Sequence, residues 1–255
     1  MSDSNIYHTA IIVQARNGSE RFPGKVLKPF YQGKPLLEII VENLKRCNDL
    51  PVIIATTDNP GDDTIIELAK SCSIDYFRGS EQDVLNRFVS CAEQYKIKNI
   101  IRVCSDNPFI DIPSLIKLKE SFLEAPVDYM SFRVDRKPSI LTHFGFWTEM
   151  VPYETLKKVA LEVEESRYRE HVTNYIYQHP EDFTVRFLDV PDYISSRKDI
   201  RLTVDTESDF TIAADIYSRV VEMKKDFGLP DILQVIDKNP EYLKVMKSSI
   251  MINSK

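Results

Sequence analysis

The feature that most constrains this chain is the alternation, through its first half, of short β-rich runs with longer amphipathic stretches. "YHTAIIVQA" reads as a strand, "PLLEIIVENLKRC" as a helix, "PVIIATT" as a strand and "DDTIIELAKSC" as a helix. The rhythm continues with "IDYF" as strand, "QDVLNRFVSCAEQY" as helix, "NIIRVCS" as strand and "PSLIKLKESFLEA" as helix. Parallel strands need a crossover of about this length, so the pattern predicts an α/β fold with a mostly parallel sheet flanked by helices on both faces. From about residue 127 to 200 the rhythm breaks. There "VDYMSFR", "HFGFWTEMV" and "FTVRFLDV" read as strands around two helical stretches near 153–178. "DIRLTVDTESDF" then returns to a strand and a long helix through about Lys225, and a polar helical tail follows. No repeat or Gly/Ser linker divides the 255 residues. The expectation is a single domain over 1–255 with a smaller α+β excursion at about 127–200.

Bulk properties narrow the function classes. With 43% hydrophobic and 28% charged residues the chain can bury a core. Its net charge of -6 argues against nucleic acid as a partner, because polyanion binders carry a basic surplus. Cys47, Cys72, Cys91 and Cys104 have no C-x-x-C spacing and follow no cleavable signal, which predicts reduced thiols in a cytoplasmic protein. Apolar runs such as 52–55 are far shorter than the roughly 20 residues a membrane span needs, so no membrane partner is expected.

In an open parallel sheet the ligand lies beyond the carboxyl ends of the strands, so the residues that follow each strand carry the chemistry. After the first come Arg16, Gly18, Arg21, Gly24 and Lys25; after "IDYF" comes "RGSEQD"; Asp106 follows "NIIRVCS" and Asp205 follows "IRLTV". Cations and glycine-opened amides suit phosphates, and hard carboxylates suit magnesium, so the set suits a nucleoside triphosphate with Mg2+. The common phosphate fingerprints fail. From Gly18 to Gly24 and Lys25 the spacing is one residue too long for a P-loop, Val26 stands where Ser or Thr would bind magnesium, and no G-x-G-x-x-G occurs.

Five blocks in order, "QARNGSERFPGKVL", "RGSEQDVLNRF", "CSDNPFID", "REHVTNYIY" and "RLTVDTESDF", resemble the cytidylyltransferases that make CMP-sugars, including the CMP-3-deoxy-manno-octulosonate and CMP-acylneuraminate synthetases. The resemblance spans about residues 6–215 and is nearest to the SpsF-like branch of spore-coat polysaccharide synthesis. It implies a Rossmann-like, GT-A-like nucleotide-diphospho-sugar transferase sheet whose inserted region serves the acceptor and a homodimer contact. It implies transfer of CMP from CTP to a sugar or sugar-acid acceptor with release of pyrophosphate. On matching positions it places the base near Ala15 and Arg16 and the triphosphate on Arg16, Arg21 and Lys25, with Gly18 and Gly24 letting the loop wrap the nucleotide. Base or ribose contacts fall to Arg78, Ser80 and Asp83, and the magnesium ligands are Asp106 and Asp205. Arg16, Lys25, Asp106 and Asp205 form the implied catalytic set. For the acceptor the candidates are His171, Arg169 and Arg133, with Arg136 beside them.

Structural roles compete for several of these residues. Ser80 and Asp83 form a helix N-cap pattern, Arg87 can pair with Asp83 one turn away, and Asp106 can form a turn before Pro108. Thr206 and Asp209 make a capping pair that leaves Asp205 one residue outside the helix. Two other functions also stay open. One is a nucleotidyltransferase for another NTP or for a phosphorylated polyol or amino sugar. The other is a non-catalytic sugar-nucleotide-binding or glycosyltransferase-like protein, although no D-x-D motif stands at a strand end.

Overall fold

The computed structural model describes residues 7–252. The strands are β1 (Thr9–Gln14), β2 (Pro29–Tyr31), β3 (Lys34–Pro35), β4 (Val52–Thr57), β5 (Asp75–Gly79) and β6 (Asn99–Cys104), followed by β7 (Tyr129–Val134), β8 (Lys137–Pro138), β9 (Glu149–Pro152) and β10 (Val185–Asp189). Helices α1 (Leu36–Leu44), α2 (Asp63–Ser71), α3 (Val84–Gln94) and α4 (Ile112–Glu124) join the strands of the first half. Then come α5 (Tyr153–Glu162), α6 (Ser166–Glu170), α7 (Asn174–Gln178), α8 (Asp192–Ser195), α9 (Glu207–Met223), α10 (Leu229–Asp237) and α11 (Pro240–Ile252).

One sheet runs in the order β10-β7-β9-β6-β1-β4-β5, with β8 paired to β7, while β2 and β3 form a separate ribbon. β1 is parallel to β4 on one side and to β6 on the other, with Val13 level with both Ile54 and Val103. The chain winds outward from β1 through β4 to β5, then returns to lay β6 on the opposite side of β1. That reversal opens a crevice beyond the carboxyl ends of β1 and β6, where an α/β sheet places its ligand. β9 is antiparallel to both β6 and β7, so residues 127–189 extend the same sheet.

Strand periodicity explains why both faces are covered. Ile11, Val13, Ile54 and Val103 point into one core beneath α1, α2, α4, α9 and α10, whereas Ala10, Ile12, Ile53 and Ile100 point into another beneath α3, α5, α6 and α7. These side chains are fully or almost fully buried, and each Ile or Val so placed contributes roughly 1.5–3 kcal/mol relative to exposure. Local caps fix the helix starts. Asp83 accepts from Asn86 N at 2.9 Å, Asp111 accepts from Ser114 N at 3.0 Å, and Thr206 with Asp209 closes a full capping box.

Three expectations from the sequence are corrected. "IRLTV" is not a strand: Leu202 and Thr203 both donate to His143 O, at 2.8 and 3.2 Å, and Val204 donates to Asp106 O at 2.8 Å. The segment is extended but satisfied by two loops instead of a ladder. "HFGFWTEMV" forms a strand only over its last part, in β9, because Gly145 turns the chain at φ 68°. "REHVTNYIY" is not one helix but the end of α6 and most of α7, broken at residues 171–173. The backbone leaves helical angles at His171, with φ -102° and ψ 68°, and the buried Thr173 hydroxyl anchors the break by donating to Glu149 at 2.9 Å.

Candidate active site

Two cavities, of about 450 and about 280 Å³, open at the crevice beyond β1 and β6. They share Gln14, Arg21, Cys104, Asp106, Glu170 and Asp205, and so form two arms of one cleft. The smaller arm adds Arg16, Ser19 and Lys25 from the β1 loop; the larger adds Asn107, Trp147, His171, Asn174 and Thr203.

The β1 loop is held at both ends. On the β4 side the buried carboxylate of Asp62 accepts from Asn17 N at 2.7 Å with one oxygen, and the other takes Thr56 Oγ1 at 3.0 Å, Thr57 N and Thr57 Oγ1. Four donors on one buried carboxylate satisfy its lone pairs without an ion pair. Gly24 begins the next turn at φ 72°, a conformation that costs a residue with Cβ about 1–2 kcal/mol. Beyond it Lys25 Nζ donates to Val204 O at 2.6 Å and Arg21 Nη2 bonds Asp205 Oδ1 at 2.8 Å.

Asp205 is itself positioned by a second arginine, this one buried. Arg201 Nη2 donates to Asp205 Oδ2 at 2.7 Å, and Arg201 Nε donates to Asp209 Oδ1 at 2.9 Å. Burial lowers the guanidinium's proton affinity, but the Asp209 bond and the charges of Asp209 and Asp205 outweigh it and hold Arg201 above its ordinary value. Asp209 serves at once as helix cap and as Arg201 acceptor. The capping reading and the placement of Asp205 in the cleft therefore hold together.

The cleft floor is a buried polar network. Glu149, 1% exposed, accepts from Arg102 Nη1 at 2.5 Å, from the Tyr129 hydroxyl and from Thr173 Oγ1 at 2.9 Å. Arg102 Nη2 also donates to Gln14 Oε1 at 3.1 Å, so β6, β9, β7 and the break between α6 and α7 are tied beneath both arms. Burial works against the Arg102 charge, yet Cys104 and Glu149 together leave it above the ordinary guanidinium value.

The other sequence candidates fall as follows. Ala15 is buried where the loop leaves β1, with its N–H on Ala55 O at 3.3 Å. Gly18 is exposed at the loop tip beside Glu81, and Arg16 lies 3.6 Å from the same carboxylate. Arg78 belongs to β5, not to a loop, and binds Thr57 O, Asn59 O and Asp63 at 2.8–3.0 Å. Ser80 accepts from Asp83 N at 3.0 Å, and Asp83 meets Arg169 at 3.3 Å. Arg87 does not pair with Asp83. It is fully buried, donates to Ser80 O at 2.8 Å, and burial pulls it down to about 10. Of the acceptor candidates only His171 lines the cleft. Arg169 turns to Asp83 and to Ala160 O, and Arg133 pairs with Asp189 on the outer part of the sheet.

Asp62, Arg102, Glu149 and Arg201 escaped the sequence reading. A charge inside an apolar strand run, as in "NIIRVC" or "FWTEMV", signals a buried pair, and Arg201 stands four and eight residues before its two aspartates.

A parallel sheet with its crevice at the reversal point, a cationic loop on one wall and carboxylates facing it, is the architecture of nucleotidyltransferases. The chain belongs to the cytidylyltransferase family, whose model matches residues 10–232. It is 39% identical over 236 residues to protein MJ1063 of Methanocaldococcus jannaschii, covering 90% of each chain. It is 32% identical over 236 residues to the spore coat polysaccharide biosynthesis protein SpsF of Bacillus subtilis, covering 90% of this chain and 94% of SpsF. Among solved structures it resembles a cytidylyltransferase from Leptospira borgpetersenii at 29% identity and TM-score 0.82, over 93% of this chain and 97% of the other. Among the described residues no helix is long and apolar enough to cross a membrane.

Proposed function

We propose that the protein transfers CMP from CTP to a sugar or sugar-acid acceptor in surface-polysaccharide synthesis. The observation that carries this reading is the two-armed cleft, with the cationic loop in one arm, neutral polar groups in the other, and Asp106 and Asp205 at their junction. The small arm suits the triphosphate. Each charge-assisted bond to a phosphate from Arg16, Arg21 or Lys25 contributes on the order of 1.5–3 kcal/mol.

The donor set at the junction fits magnesium. Two carboxylates are a normal protein share for an ion that takes its other ligands from phosphates and water, and among the described residues no group of three or more His, Cys, Asp or Glu forms a closed cage. Asp106 and Asp205 would hold it, and when bound it neutralises charge on the phosphates and lowers the pKa of a nearby hydroxyl. Asp205 is held between Arg21 and Arg201. Arg201 would keep the carboxylate aimed into the cleft while Arg21, half exposed, exchanges Asp205 for the pyrophosphate. An acceptor oxygen seated in the large arm attacks the α-phosphorus as the bond to pyrophosphate breaks, and its proton leaves to solvent past exposed Glu170. Lys25, which lines the small arm and donates to Val204 O, would stabilise the departing charge.

The test incubates the protein with magnesium, CTP, UTP, ATP or GTP, and a panel of sugars, sugar acids and sugar phosphates. Pyrophosphate release and the mass of a nucleotide conjugate are followed. CTP is expected to support release, and Asp106→Ala and Asp205→Asn should remain folded while turnover falls about 10²–10³-fold, the usual loss when a charge-stabilising group is removed. Near-full turnover in both variants would remove the metal assignment, and release with UTP alone would change the base.

A further inference from the structure

Three neutral side chains of the larger arm carry polar atoms with no partner, beside Arg102 Nε of the floor, which has none either. They are Trp147 Nε1, Asn107 Oδ1 and Thr203 Oγ1. Their residues are 5%, 6% and 3% exposed, and all three line the cavity. An unpartnered buried polar atom costs about 1–3 kcal/mol, so three around one cavity mark groups kept for a ligand. Their chemistry is mixed: the indole N–H only donates, the amide oxygen only accepts, and the hydroxyl does either.

The surrounding backbone keeps this corner open. Gly145, at φ 68°, passes so close to Asn107 that a Cβ there would sit 2.9 Å from Oδ1 and 3.4 Å from Thr203 Cγ2. A side chain at 145 would fill the corner in which these residues meet. Charge is managed in the opposite way. The two arginines of this arm are Arg102, bonded to buried Glu149, and Arg21, bonded to Asp205. Each charge is thus matched by a carboxylate, although Arg102 Nε itself has no acceptor, and Asp106 and Glu170 add negative charge.

We propose that Asn107, Trp147 and Thr203 form a specificity subsite that reads an uncharged edge of the acceptor, one that presents a hydrogen-bond donor and an acceptor side by side. Any carboxylate or phosphate on the acceptor lies outside this corner. The inference rests on the proposed cytidylyl transfer for the identity of the ligand, but the subsite is defined by its own three atoms.

Trp147 is the chain's single tryptophan, so its emission reports this corner alone. The full chain, with CTP and magnesium present, is titrated with 3-deoxy-manno-octulosonate and N-acetylneuraminate, each also as its uncharged methyl ester. A saturable emission change is expected, with acid and ester dissociation constants agreeing within about threefold because no cation here holds the carboxylate. Thr203→Val, which keeps the shape and removes the hydroxyl, should weaken that binding about 10–100-fold, as for other sites that lose one hydrogen-bond partner. CTP affinity, measured by calorimetry, should stay within about twofold in the same variant. The proposal is overturned if no probe changes the emission, if the acids bind more than about tenfold tighter than their esters, or if Thr203→Val weakens CTP as much as the sugar. Failure of CTP to bind, with the sugar response intact, would instead overturn the proposed transfer and leave the subsite standing.

Discussion

On the nucleotide-loop wall of the cleft, Arg21, Lys25, Asp62, Arg201 and Asp205 each have a partner inside the protein. On the opposite wall Asn107, Trp147 and Thr203 present polar atoms that have none. The two walls handle the same problem, groups that must meet a ligand, in two ways. Charges cannot wait unpaired in a low-dielectric cleft, because burying an uncompensated ion costs several kcal/mol. Here they are held by an opposite charge, as for Arg21, Arg201 and Asp205, or by neutral groups, as for Lys25 and Asp62, and under the proposed transfer Arg21 and Lys25 would exchange these partners for phosphate. Neutral groups cost far less when left open, so the acceptor wall can keep them waiting.

The largest effect should come from breaking the floor that both walls share. Glu149→Ala would strand Arg102 as an unpaired buried charge and leave the Tyr129 and Thr173 hydroxyls without their acceptor. Loss of one partner of a buried pair costs about 3–5 kcal/mol, which should appear as a lower denaturant midpoint in chemical unfolding. A midpoint unchanged from wild type would mean that the walls stand independently of this floor.

The nucleotide wall is probed next by Asp62→Asn. The amide keeps the shape but replaces one acceptor oxygen with a donor, so at least one of Asn17 N–H, Thr56 Oγ1 and the two Thr57 donors loses its acceptor. About 1–3 kcal/mol of local stability should be lost. Amide exchange at Asn17 should rise and CTP affinity fall, while the emission response of Trp147 to the sugar probes is preserved. Equal loss on both arms would show that Asp62 supports the whole sheet edge instead of the loop.

The same contrast explains what the sequence could and could not reveal. The sheet was legible because Ile11, Val13, Ile54 and Val103 repeat with strand period between helices whose caps, Asp83 and Asp111, stand in the sequence. The loop wall was legible in part, since Arg16, Arg21, Lys25 and Asp106 follow strand ends and Asp205 follows an extended segment that reads as one, and all five are brought to one cleft. Their counter-charges were not legible. Asp62 lies 45 residues from Asn17 and Arg21 lies 184 from Asp205, and no local period encodes such a pairing. The acceptor wall was least legible. A search for cations near an acidic sugar selects Arg133 and Arg169, whereas the cleft is lined by Asn107, Trp147 and Thr203, residue types common in any loop. The break at residues 171–173 was hidden for the same reason, because the chain leaves helical geometry at His171 and Thr173 bonds a buried acid on a distant strand.

Arg133→Ala makes the smallest change and tests the contrast from outside the cleft. Arg133 pairs with Asp189 on neighbouring strands, with half its side chain in solvent, and the pair raises the arginine and lowers the aspartate from their ordinary values through their mutual hydrogen bond. Such an exposed pair is screened by water and salt and opposed by the entropy of holding two mobile side chains. Removing it should leave the denaturant midpoint, the CTP affinity and the Trp147 response to sugars indistinguishable from wild type. The acceptor candidates then separate cleanly. If Arg133→Ala weakens binding of the sugar acid but not of its methyl ester, a charge outside the cleft takes part in acceptor recognition, and the neutral wall is only half of the site. If both bind as before, recognition belongs to the wall whose polar atoms were left unpaired.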